Sequence, residues 1–114
     1  MKDMQTPLFI IEVVFNYFRV SVFYQMTKTR EHEIVLARQV SMYFMKEYTG
    51  LSLEGIGRYF SRDHATVLHA FRTVNNLRDT DKHFRDDLIQ ICERINSRYD
   101  INELVYAHYD TDRA

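Results

Sequence analysis

Arg62, Asp63, His64, Ala65 and Thr66 follow one another directly ahead of a run with apolar residues at Val67, Ala70, Phe71 and Val74. Such a row at the start of a helix is suited to reading the edges of base pairs, a chemistry that needs no cofactor. An arginine can bond two acceptors of guanine, and an aspartate accepts from the cytosine amino group. A histidine donates or accepts according to its tautomer, and the methyl groups of Ala65 and Thr66 suit a thymine methyl. The helix start adds free N–H groups and partial positive charge, which favour phosphate. At 100° per residue Ala65, Thr66, His69, Arg72, Thr73 and Asn76 fall within an arc of roughly 120°. Val67, Ala70, Phe71, Val74 and Leu77 lie on the other side, free to bind a core.

Each of these residues also has a plainer reading. Asp63 can be the N-cap of its helix, alone or in addition to a base contact. His69 reads better as a polar partner at the core edge or a phosphate contact than as a base reader. His64 and His69 are five positions apart, so they do not share a helix face as a metal pair does. With Cys92 as the single cysteine, no metal and no disulfide are expected, and Cys92 reads as a small buried apolar residue between Ile91 and Ile95. No serine, histidine and aspartate set and no carboxylate pair argues for an enzyme. Gly50, Gly55 and Gly57, the three glycines, do not form a Gly-x-x-x-x-Gly-Lys phosphate loop, so neither ATPase activity nor any cofactor is expected.

The elements that must position this row can be traced along the chain. Thr6-Pro7 opens a first helix running to about Phe18, although Ile10, Ile11, Val13 and Val14 would also suit a strand. Ser21 caps a short helix over Val22 to Met26, and Thr27-Lys28-Thr29-Arg30 reads as a polar loop. A long helix from His32 to Tyr48 carries Ile34, Ala37, Ser41, Phe44, Met45 and Tyr48 at helical spacing, and Gly50 ends it. Ser52 caps a helix over Leu53 to Phe60, Ser61-Arg62-Asp63 makes the turn, and the helix after it ends near Leu77. Thr80 is expected to cap a helix to Arg98, and Asp100 with Glu103 to open a last short helix through Ala107.

These elements predict an all-α helical bundle with an embedded helix-turn-helix. The expected organisation is a tail over residues 1–6, one domain over 7–98, and a C-terminal extension over 99–114 holding a short helix and a tail. A chain of 114 residues suffices for one core, and one proline with three glycines leaves too few turn residues for a small β-barrel. The apolar stretch 8–18 is too short to span a bilayer and reads as a core helix, so no membrane partner and a cytoplasmic location at the nucleoid are expected. The net charge of −1 hides an asymmetry: residues 27–72 sum to +2 and residues 73–114 to −3, so the positive section holds the helix-turn-helix.

The run Ile56-Gly57-Arg58-Tyr59-Phe60-Ser61-Arg62-Asp63-His64-Ala65-Thr66-Val67-Leu68-His69-Ala70 resembles the signature of the C-terminal DNA-binding domain of the bacterial replication initiator DnaA. The resemblance covers about residues 7–97. It implies a helical domain that binds duplex DNA as a monomer at short asymmetric sites, the DnaA boxes. Arg30 matches an arginine that enters the minor groove. Arg38 and Gln39, in Ala37-Arg38-Gln39-Val40, match a phosphate-contacting pair. Lys46, and Ser52 with Leu53, match further phosphate contacts, and Arg62, Asp63, His64, Ala65 and Thr66 match the base-reading segment.

This sequence departs from the family pattern at several of these places. Ser61 stands alone where Gly-Gly is common, Ala65 replaces a hydroxylated residue, and Glu54 takes a usual proline position. Thr29, His32 and Leu36 replace residues that are often basic, and Glu31 and Glu33 flank Arg30. Each lost cation removes a counterion-releasing contact, so the expectation is weaker binding than a full initiator shows, or a changed site. The implied role is control of replication initiation or transcription through double-stranded DNA. The alternative is a protein-interaction adaptor on the same scaffold, engaging replication proteins.

Overall fold

The computed structural model describes residues 5–113. Five α-helices follow one another: α1 (Gln5–Tyr17), α2 (His32–Tyr48), α3 (Leu53–Arg58), α4 (His64–Thr80) and α5 (Lys82–Arg113), with a 3-10 helix Val22–Met26 between the first two. Among the described residues there is no strand. The fold is thus the expected all-α bundle.

The β-branched residues of α1 do not make it a strand, because Ile10, Ile11, Val14 and Phe15 lie at helical spacing and are all fully buried. The helix ends in a Schellman arrangement. Arg19 takes the left-handed conformation (φ 59°), Val20 N–H donates to Phe15 O (2.9 Å), and Arg19 N–H donates to Asn16 O (3.0 Å). The helix also starts earlier than Pro7: Gln5 and Thr6 belong to α1, and residues 1–4 of the expected tail lie outside the described residues.

The long helix α2 is the hub, touching α1, α3 and α4. Its expected stripe is buried at Ile34, Ala37, Ser41, Phe44 and Met45, and half-buried at Tyr48. Val67, Ala70, Phe71 and Val74 of α4 bury the face that the helical spacing assigned to the core. Phe84, Leu88, Ile91 and Ile95 of α5 close it from below. Cys92 is half-buried rather than buried, because its Sγ lies 3.2 Å from the Tyr48 hydroxyl at the core rim.

Two expectations at the C-terminal end are corrected. Thr80 is the last residue of α4, with its hydroxyl on Asn76 O (2.7 Å), and Asp81 caps α5 by accepting from Phe84 N–H (3.1 Å). No break occurs at Asp100, since α5 continues to Arg113 as one helix. A favourable local cap cannot interrupt a helix whose next residue already satisfies its backbone by propagation.

Tyr17 joins the first and last helices by donating to Asp87 Oδ1 (2.6 Å), and the Arg94 guanidinium lies 4.9 Å from its ring centroid. Burial first, and the Asp87 carboxylate second, push the Tyr17 phenol up to about 12. A raised folded value means that this bond contributes fully below the ordinary tyrosine pKa of ~10 and is lost as the pH climbs through the raised one. Tyr17→Phe should therefore cost about 1 kcal/mol at neutral pH. Urea unfolding compared at neutral pH and about pH 11 should show a smaller alkaline loss in the variant than in the wild type.

Candidate nucleic-acid interface

The turn between α3 and α4 is set by one close backbone approach. A Cβ on Gly57 would lie 2.2 Å from the Arg62 carbonyl oxygen and 3.3 Å from a Val67 methyl. Only a residue without a side chain lets the two helices meet there. The Gly57 carbonyl accepts from both Phe60 N–H and Arg62 N–H, each at 3.0 Å. Ser61 closes the turn in the left-handed conformation (φ 54°), in the position where glycine usually ends a helix. The shorter turn therefore still closes, at the expense of backbone strain in Ser61.

Beyond the turn, Asp63 caps α4. Its Oδ1 accepts from Thr66 N–H and from the Thr66 hydroxyl, both at 2.9 Å. These bonds, the backbone one first, hold the Asp63 carboxyl below the usual carboxylate range. Asp63, His64, Ala65 and Thr66 are all exposed, as are Leu68 and His69. The cap and base-reading roles of Asp63 are geometrically compatible, because only Oδ1 is engaged by Thr66.

One flank of α4 borders an open cleft of about 370 Å³. Lys28, Arg30, Arg38 and Arg62 line it together with Gln39, Thr66 and His69, and among the described residues no acidic side chain does. The other flank carries Lys46, whose ammonium lies 5.2 Å from the Phe71 ring centroid. Phe71 is roughly 160° around α4 from His69 at 3.6 residues per turn. Helix α4 thus has cations on two sides, those of the cleft level with Thr66 and His69 and Lys46 level with Phe71. Ser52 caps α3 by accepting from Gly55 N–H (3.0 Å), and Leu53 is the first residue of that helix.

Arg38 and Arg62 occupy places that their residue type did not foretell. Arg38 is 5% exposed. Its Nη2 donates to Thr27 O (2.6 Å), Thr27 Oγ1 (3.1 Å) and Tyr24 O (3.3 Å), and its Nη1 to Thr29 O (3.4 Å). Burial, and then the neighbouring Arg62 charge, lower its pKa. Arg62 is half-buried and bonds the carbonyls of Phe60 (2.8 Å), Ser61 (3.4 Å) and Thr27 (2.9 Å). Among the described residues neither arginine has a carboxylate partner. Arg30 is exposed on the loop that they hold.

Of the two acidic neighbours of Arg30, Glu31 is exposed beside it and Glu33 is turned aside. Glu33 faces a different cleft, with His32, Leu36, Asp81 and Asp87, across α2 from the cationic one. Lys28 was missed as a site residue. The one available signal was its spacing of two from Arg30 in a loop otherwise read as merely polar.

An exposed helix start held by a glycine-tight turn and flanked by cations defines a helix-turn-helix domain of the DNA-binding class. The chain belongs to the bacterial dnaA protein helix-turn-helix family, whose profile matches residues 7–74. It is similar to the chromosomal replication initiator protein DnaA of Flavobacterium psychrophilum, with 44% identity over 89 residues, covering 77% of this chain and 19% of the relative. The DnaA of Bacteroides fragilis is 46% identical over 90 residues, covering 78% and 19%. That of Thermomicrobium roseum is 38% identical over 95 residues, covering 82% and 20%. The chain thus spans about a fifth of the length of these relatives.

Gly57→Ala should destabilise the domain by about 3 kcal/mol, because the clash is with backbone, whereas Ser61→Gly should stabilise it by about 0.5 kcal/mol. Thermal unfolding of the two variants checks both signs. The depressed Asp63 carboxyl contributes stability above the ordinary aspartate pKa of ~3.9, and that stability is lost as the pH falls through its lower folded value. Asp63→Asn keeps a capping oxygen but not the charge. Its acid unfolding curve should be flatter than that of the wild type below about pH 4.

Proposed function

We propose that this chain binds duplex DNA sequence-specifically at sites of the DnaA-box kind and acts in the control of replication initiation or transcription. The observation that carries this reading is the exposed start of α4 beside the cationic cleft, with Lys46 next to the same helix at Phe71. An α-helix entering the major groove end-on needs that arrangement, with base-reading side chains at its tip and phosphate partners on both sides.

In this reading His64, Ala65, Thr66 and the second oxygen of Asp63 meet base edges. Arg30 reaches the adjoining minor groove from its loop. Gln39, Lys46, Ser52 and the Leu53 amide approach phosphates, while Arg38 and Arg62 supply positive charge from within the cleft wall. The family match covers the helix-turn-helix, so ATP hydrolysis is not ascribed to this chain. Binding as a monomer suits an asymmetric site. No helix among the described residues is long and apolar enough to cross a membrane, and a nucleoid location follows from the DNA partner.

A second reading, a protein-interaction adaptor, draws on exposed apolar side chains away from α4. Phe23 is 77% exposed, and Val22, Met26 and Leu8 are exposed beside it.

Fluorescence anisotropy with a DnaA-box duplex and a scrambled duplex, each titrated across salt, separates the two. Box-selective binding is expected. His64→Ala should cost about 1–3 kcal/mol on the box and little on the scramble. Lys46→Ala should weaken both alike and lower the salt slope by about one. Absence of binding to either duplex at low salt would reject the DNA reading in favour of the adaptor.

A further inference from the structure

The loop that carries Arg30 has little hold on itself. Thr27 donates to Tyr24 O of the preceding 3-10 helix through its N–H (3.3 Å) and its hydroxyl (3.0 Å), and within the loop Glu31 N–H reaches Thr29 Oγ1 at 3.3 Å, a long bond. What fixes the loop comes from outside it. The Thr27 carbonyl accepts two guanidinium donors, Arg38 Nη2 from α2 and Arg62 Nη2 from the α3–α4 turn, at 2.6 and 2.9 Å. A carbonyl oxygen has two lone pairs, so this acceptor is filled. A second tie runs parallel to it, where Gln25 Nε2 donates to Tyr59 O at 2.6 Å. The loop and the turn are therefore joined at two points.

The fork of Arg62 is also committed. Its Nη1 holds the carbonyls of the turn while Nη2 holds the loop. An Arg62 that swung out to bond guanine would give up the direct tie from the turn to Thr27 O, leaving the segment bearing Arg30 held there by Arg38 alone. From this geometry we infer that Arg62 is a positioning residue: it couples the minor-groove arm at Arg30 to the major-groove helix α4 through the Thr27 carbonyl, rather than reading a base itself. The inference rests on the DNA-reading function above and adds to it a mechanism by which the two reading elements keep one register on the duplex.

Arg38 is too deeply buried to serve as the probe, so the test uses Arg62→Ala, Arg62→Lys and Arg30→Ala. The first measurement needs no DNA. Backbone 15N relaxation of the free protein should show lower order at Lys28, Thr29 and Arg30 in Arg62→Ala, with α4 and α5 unchanged. Unchanged loop order would overturn the inference. The second measurement is a double-mutant cycle on the box duplex. Arg62→Ala should cost about tenfold in affinity when Arg30 is present and less than about twofold in the Arg30→Ala background. Equal losses in both backgrounds would make Arg62 a direct DNA contact and overturn it.

Arg62→Lys keeps the charge but not the planar fork. It should retain the wild-type salt slope while loosening the loop as the alanine variant does. Retained loop order in the lysine variant would count against the brace, and a salt slope lowered by about one in the alanine variant would assign Arg62 to phosphate. A wild-type chain that fails to distinguish box from scramble rejects the DnaA-box reading alone, because the relaxation measurement still decides whether Arg62 holds the loop.

Discussion

The contact between Gly57 and the carbonyl of Arg62 is the constraint on which the rest of the interface depends. A missing side chain lets α3 and the start of α4 approach to a distance that any Cβ would forbid. The Gly57 carbonyl then collects two N–H groups, which bends the chain sharply and places Ser61 in the left-handed region. From that bend follow the direction of α4, the exposure of its first turn, and the position from which Arg62 reaches back to Thr27. Asp63 completes the arrangement by satisfying N–H groups that the helix start would otherwise leave open.

Charge in this protein is placed rather than accumulated. The chain is nearly neutral, yet four cations converge on one cleft that no acidic side chain among the described residues lines. Two of them, Arg38 and Arg62, are held by backbone carbonyls instead of carboxylates. Carbonyl dipoles satisfy guanidinium donors without cancelling their charge, so the cleft keeps its positive potential while its wall stays rigid. Glu33, Asp81 and Asp87 line a different cleft on the far side of α2, where they do not oppose the cationic face.

Helix α2 makes both properties possible. Its buried stripe joins α1, α3 and α4 into one core, and Arg38, one turn from Ile34 on that helix, turns inward under the Thr27 loop. Burying an arginine is costly unless its donors are met. The carbonyls of Tyr24, Thr27 and Thr29 meet most of them, which ties the shape of the Arg30 loop to the packing of α2. Nε of Arg38 and the hydroxyl of Ser41 are buried without a hydrogen-bond partner in the same helix.

Local patterns in the sequence determined the helices, the α4 face that packs inward, the Asp63 and Ser52 caps, and the family signature through Arg62–Ala70. Each is legible because it depends on spacing within a few residues, where helical periodicity and cap chemistry act. Asp100 misled for the same reason: a strong local cap signal lost to propagation of a longer helix. Tertiary structure alone decided that Arg38 is buried, that Arg62 folds back on Thr27, that Lys28 joins the cleft and that Glu33 leaves it. An arginine has the same donors whether it faces phosphate or a carbonyl, and only the approach of segments distant in the chain brings a particular carbonyl within its reach.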